Sequence, residues 1–341
     1  MKKITFLIAT MIATVCTLQS KVLIVNNNST NNGQYTDIGI AIVNASVGDT
    51  LYLVGSPNTY GAFTIAKRLT IFGAGHHSTN TSVIVPSKTG TITFDSASSE
   101  LYGSKLAGLY IDGYVTYASG DLGKINNITI DRCYVNSYFY IGGSNWLIKN
   151  SIMASVSEIG NNSNVIFSNC FLESVQNSNK STVKIINSIL FNNGNLYNIS
   201  NLTFENNIFY NYNFASYAPT SCIFNNNISY DTNTQDLPPA GNTGSNNKSN
   251  QNPKFISTLP GLDNTIYHYD LSSYDWHLQV SSPGYLAGTD ATDIGIYGGA
   301  FVMPNFSGVT NLPLIQSVQL TNPIVEKNTT LKVKVKASKN D

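Results

Sequence analysis

Two aspartates, Asp112 and Asp131, each follow a short alternating stretch, Leu109-Tyr-Ile111 and Ile128-Thr-Ile130, and lie 19 residues apart. If those stretches are one strand on successive windings of a coil, their carboxylates share an outward column about 5 Å apart, where like charges repel unless a cation or a shared proton separates them. Lys149 is next in that column and Arg132 adjoins Asp131. These four residues are the candidate catalytic set: Asp112 and Asp131 as calcium ligands, with Arg132 or Lys149 as acid/base groups. The plainer reading, an exposed Asp-Asp-Lys charge ladder, takes precedence.

Histidines supply less. His76 and His77 follow Gly73-Ala-Gly75, while His268 and His277 lie near the other end. Paired histidines can bind metals, but no carboxylates accompany them at a ligating spacing, so they read as solvent-exposed turn residues and no metal site is assigned to them.

The twenty tyrosines suggest a different chemistry. Tyr138, Phe139 and Tyr140 follow one strand; Tyr210, Tyr212, Phe214 and Tyr217 follow another. Exposed tyrosines among asparagines can stack on sugar rings and bond their hydroxyls, which makes Tyr138, Tyr140, Tyr210 and Tyr212 the carbohydrate-binding candidates. The competing explanation is β-propensity with core packing.

A repeat must position these residues. Trp146-Leu-Ile148-Lys-Asn150, Val165-Ile-Phe167-Ser-Asn169, Val183-Lys-Ile185-Ile-Asn187, Leu202-Thr-Phe204-Glu-Asn206 and Cys222-Ile-Phe224-Asn-Asn226 align without gaps, their asparagines 18 to 20 residues apart. The Ile128 and Leu109 stretches precede them, with Arg132 and Gly113 in place of asparagine. A fixed period of this length marks a solenoid, and alternating apolar positions mark strands with one buried face. The expected fold is all-β: a single-stranded right-handed parallel β-helix, right-handed because strict hexapeptides are absent and parallel crossovers favour that hand. An inward asparagine column would satisfy the backbone at the corner and stack from turn to turn.

On these residues the chain resembles the pectate lyase-like superfamily of secreted β-helix proteins. Val47-Gly-Asp-Thr-Leu-Tyr-Leu-Val54 and Lys67-Arg-Leu-Thr-Ile-Phe-Gly-Ala-Gly75 resemble its first turns, and Asp275 to Pro283 with Gly288 to Gly299 resembles its closing turn. Lyases of this superfamily join acidic calcium ligands to an arginine or lysine that takes a proton beside a uronate carboxylate; the resemblance implies that only Arg132, Lys149 and their neighbours could do so here. The clustered aspartates, Gly-His-Gly-like and Arg-Ile-Lys-like elements of its hydrolases are not found.

The remaining features bound the reading. Net charge is zero and charged residues make up 11%, which argues against nucleic acid or an anionic membrane as partner. Lys2 and Lys3 before the apolar run Ile4 to Leu18 read as a bacterial-type signal peptide over residues 1–20, with lipidation at Cys16 a minor alternative. Cys133 and Cys170 fall two turns apart, about 9.6 Å, beyond the roughly 7 Å that a disulfide spans. The β-helix is expected over 21–300, opened by a capping helix from Ile38 to Asn44 behind Thr36 or Asp37. Asp236 to Asn252 reads as a surface loop, and 301–341 as a strand tail or hairpin covering the solenoid end, with Leu331, Val333 and Val335 alternating with lysines. The functional expectation is a secreted or cell-surface monomer, without a transmembrane segment in the mature chain, that binds glycans or makes surface contacts without catalysis. A polysaccharide lyase acting on a uronate polymer, with calcium, is the alternative.

Overall fold

The computed structural model describes residues 20–28, 33–77, 85–97, 101–118, 120, 122–157, 164–178, 182–192, 194–214, 219–232, 236–259, 271–304, 314–320 and 333–338. Residues 1–19 of the expected signal peptide, with Cys16 among them, and Tyr217, His268 and Leu331 lie outside them. Apart from the hairpin at its C-terminal end, the fold is a parallel β-solenoid. An 11-stranded sheet runs in chain order from Val22–Val25 to Thr243–Ser245, and a 12-stranded sheet holds the intervening strands. Each repeat crosses both sheets. In the first, Trp146–Lys149, Val165–Ser168 and Val183–Ile186 stack in register, so that Ile148, Phe167 and Ile185 are vertical neighbours. These side chains are fully buried, because alternation turns every second residue inward.

The corner between the sheets explains the repeated asparagine. Asn150, Asn169, Asn187, Asn206 and Asn226 all have φ between 47° and 58°, the left-handed region that asparagine tolerates better than most residues. The column continues to Arg132 (φ 53°) and, one winding earlier, to Gly108 (φ 64°) rather than Gly113. The column is expected to line the interior, but Asn169, Asn206 and Asn226 instead turn toward the C-terminal segment. Asn169 Nδ2 donates to the carbonyls of Ile296 and Gly298, Asn206 exchanges bonds with Thr289, and Asn226 donates to Ala287.

The inward ladder lies one residue later. Ser188 N donates to Asn207 Oδ1, Asn207 N to Asn227 Oδ1, and Asn227 N to Asn247 Oδ1. The amide nitrogens of the same asparagines reach the carbonyls of Ile185, Phe204 and Phe224. Both halves of each amide therefore satisfy buried backbone. Ser151 occupies this column between Cys133 and Cys170, and all three described cysteines are buried free thiols.

Two expectations are corrected. The polar stretch 236–252 is not all loop: Thr243–Ser245 pairs with Ile223–Asn225 and adds a winding whose corner, Asn246, again has φ 57°. Nor does the segment from Asp275 to Gly299 form a further winding. It runs back along the outside, touching Asn226 through Ala287, then Asn206 through Thr289, then Asn169 through Ile296 and Gly298. Beneath it the second sheet is apolar on its outer face too: Tyr134, Ile152, Phe171, Ile189, Ile208 and Ile228 form a second core with Phe255, Trp276, Leu278, Ile294, Ile296 and Met303 of the outer segments 253–259 and 271–304, together the strap. Trp276 is buried edge-on against Phe171 and Phe255, at 4.9 and 5.1 Å between ring centres.

At the N-terminal end a helix spans Ile38–Asn44, with Asp37 accepting from Ile40 N at 2.8 Å, and it turns Ile38, Ala41 and Ile42 into the interior. Near the C-terminus of the chain Leu314–Leu320 pairs antiparallel with Val333–Ser338.

Candidate functional site

Asp131 lies at the end of Thr129–Asp131, and its in-register neighbours are Ala107 and Lys149. Asp112 is therefore not in its column. It follows Tyr110–Ile111 in the second sheet, where that strand stacks on Tyr134 and Val135. The paired-carboxylate site is corrected for a definite reason: the frame that matched Gly113 to the asparagines was five residues late, since Gly108 is the corner.

Each aspartate has its own cations. Asp131, with its side chain 2% exposed, lies 3.3 Å from Lys105 Nζ, 3.3 Å from Arg132 and 3.9 Å from Lys149 Nζ. Three cations around one buried carboxylate form a locally positive knot. Lys149 also lies 4.6 Å above the Phe301 ring, so the strap reaches this knot. Arg132 and Lys149, named above as candidate proton-abstracting groups, are thus engaged with Asp131.

Asp112 begins a different arrangement. Its carboxylate pairs with Lys88 Nζ at 2.7 Å and accepts from Asn136 Nδ2 at 2.9 Å, while Asn136 Oδ1 accepts from the Tyr134 hydroxyl. Burial pushes the Asp112 carboxyl up, but the bonds from Lys88 and Asn136 together outweigh it and hold it below the ordinary carboxylate value. Burial pushes the Tyr134 phenol well up, so it remains a neutral donor.

Beside this polar line stands a group of exposed rings. Tyr114 and Tyr138 are 44% and 40% exposed, and Tyr140 is half-buried. Tyr138 and Tyr140 stack at 5.7 Å and 21°, and Tyr114 lies 6.2 Å from Tyr138 and 6.1 Å from Tyr140. The strands Val115–Tyr117 and Tyr134–Tyr140 place them, with a register shift between Val135 and Tyr138 that re-aims the last tyrosines. Tyr110 and Tyr134 add a tilted pair at 5.0 Å, with Lys88 Nζ 5.0 Å over Tyr110. The result is a row of ring faces beside a carboxylate, an amide and an ammonium.

The other expected tyrosines separate. Tyr210 is half-buried beside Tyr230 on the next winding. Tyr212 is 1% exposed and packs on Phe209 and Phe214, so its place as a sugar-stacking candidate is corrected. His76, expected to be solvent-exposed, is buried 6.3 Å from the Tyr134 ring. His277 is exposed, with Nδ1 2.6 Å from Asp275 and its ring stacked 3.6 Å from Tyr297. Among the described residues no three His, Cys, Asp or Glu side chains converge.

Sequence reasoning missed Lys88, Lys105, Asn136 and Tyr114. Gly108 was the available signal: with it as the corner, Asp112 falls beside Asn136 and Tyr114 comes onto the face of Tyr138.

No protein-family profile and no curated protein sequence matches the chain. Among solved structures, a crystal structure of pectate lyase Pel9A is similar over 81% of this chain and 96% of that chain, with 14% identity and a TM-score of 0.40. Among the described residues no helix is long and apolar enough to cross a membrane.

Proposed function

We propose that this protein binds glycans on the outer face of the second sheet, without catalysing a reaction. The observation that carries this is the exposed Tyr114, Tyr138 and Tyr140 cluster beside the Lys88–Asp112–Asn136 line. Sugar rings present C–H faces that stack on aromatic rings and hydroxyls that both donate and accept, and this face offers partners for each. Zero net charge and the close Lys88–Asp112 pair favour a neutral polymer over a uronate one. The involvement of Arg132 and Lys149 with Asp131 favours binding over lyase chemistry. The leader-like N-terminus supports action outside the cell or on its surface.

Affinity electrophoresis in gels holding neutral or acidic polysaccharides, with calcium or with a chelator, tests the reading. Retardation by a neutral polysaccharide, reduced in Tyr138→Ala, is the expected result. A uronate lyase would instead release unsaturated oligosaccharides that absorb in the ultraviolet, and would lose that release in Arg132→Ala or Lys149→Ala.

A further inference from the structure

Toward the far end of the second sheet the strap and the last windings line an open-sided pocket of about 370 Å³, within the roughly 300–1,000 Å³ typical of small-ligand sites. Tyr210 and Tyr230, on successive windings, form one wall with ring centres 5.9 Å apart, and Phe255 of the strap stands 5.9 Å from Tyr210. Polar residues complete the lining, among them Asp231, Asn252, Lys254 and Gln279.

We propose that this pocket binds one neutral pyranose ring, as a site separate from the open tyrosine face. The proposal rests on reading the protein as a glycan binder, and it adds a second site that selects a single ring.

The rings supply a stacking surface and the polar groups are held in place. Gln279 Nε2 donates to Phe255 O at 3.1 Å, Lys254 Nζ to Ser281 O at 3.0 Å, and Lys254 N to Asn252 Oδ1 at 2.7 Å. These bonds leave Gln279 Oε1 as an acceptor, Asn252 Nδ2 as a donor and the Asp231 carboxylate as a further acceptor, the mixture that ring hydroxyls require. Charge argues for a neutral guest, because Asp231 and Lys254 cancel and either a lone anion or a lone cation would meet its like. Burial, then the nearby Asp231 charge, pushes the Tyr210 phenol up to about 12, so it donates as a neutral hydroxyl. An apolar guest would leave all of these groups desolvated and unpaired.

Saturation-transfer NMR on the full chain, with the methyl pyranosides of glucose, galactose, mannose and xylose, tests the pocket. At least one should bind. Tyr210→Ala and the milder Asp231→Asn should each weaken it about tenfold, equivalent to about 1.4 kcal/mol, while Val43→Ala, at an exposed position of the N-terminal helix, leaves it unchanged. If Tyr210→Ala does not fold, Asp231→Asn decides. No transfer to any of the four, or affinity retained in a folded pocket variant, overturns the proposal. Gel retardation without methyl pyranoside binding would sink the pocket and spare the open face; the reverse pattern would sink the open face alone.

Discussion

The side-chain amide of Asn169 donates to the carbonyl of Gly298 at 2.6 Å, joining residues 129 apart in the chain. A corner residue of the coil thereby fastens the strap, and its amide also reaches Ile296 O at 2.9 Å. Gly298 and Gly299 permit the approach: a Cβ at Gly298 would stand 1.8 Å from Asp293 O, and one at Gly299 would stand 2.7 Å from Asn187 Oδ1.

Two substitutions at Asn169 separate its roles. Asn169→Gly keeps the left-handed corner but leaves buried carbonyls without a donor, and should cost about 1–3 kcal/mol. Asn169→Ala adds the penalty for a Cβ at positive φ, and should cost about 1 kcal/mol more. Urea unfolding gives the totals, and faster hydrogen exchange over 294–299 in both variants would locate the loosened strap.

Asp131→Ala should destabilise the protein by about 2–3 kcal/mol. Removing one partner of a fully buried pair costs roughly 3–5 kcal/mol, and the partial exposure of Lys105, Lys149 and Arg132 lowers the penalty. Adding Lys105→Met should recover part of the loss; urea midpoints of the single and double variants measure the coupling.

Glu173 carries a pH test. Burial raises its carboxyl above the ordinary glutamate value, so its favourable contribution is full below the unfolded value, near 4.3, and is lost as pH rises through the folded one. Glu173→Gln should therefore raise the thermal midpoint near pH 7 and leave it little changed near pH 4, as differential scanning calorimetry at the two pH values would record.

Tyr212 and Tyr138 should behave oppositely. Tyr212→Ala empties a buried site between Phe209 and Phe214 and should cost about 3–5 kcal/mol in urea unfolding. Tyr138→Ala, at an exposed position, should change stability by less than about 0.5 kcal/mol while weakening polysaccharide retardation.

The solenoid was legible in the sequence because its determinants are periodic. Ile148, Phe167 and Ile185 recur at the interval that makes them neighbours, and the helix from Ile38 to Asn44 follows a capping aspartate. The strap was illegible as such because its partners are non-local: nothing near Gly298 in the chain points to Asn169. The asparagine column was found but assigned the wrong role, since a residue required at positive φ and one required inward look alike when both are asparagine, as Asn206 and Asn207 are. The candidate site divided similarly. Lys149 next to Asp131 followed from the repeat, whereas Asp112 was misplaced because its winding turns on Gly108.

The most direct test of the glycan-binding face is a calorimetric titration of neutral polysaccharides into the wild-type protein and into a Tyr114→Ala/Tyr138→Ala variant. The account predicts saturable binding of at least one polymer by the wild type, weakened about tenfold or more in the variant, with an unchanged urea midpoint. Equal affinity in the two proteins, or no binding of any polymer by the wild type, would contradict it.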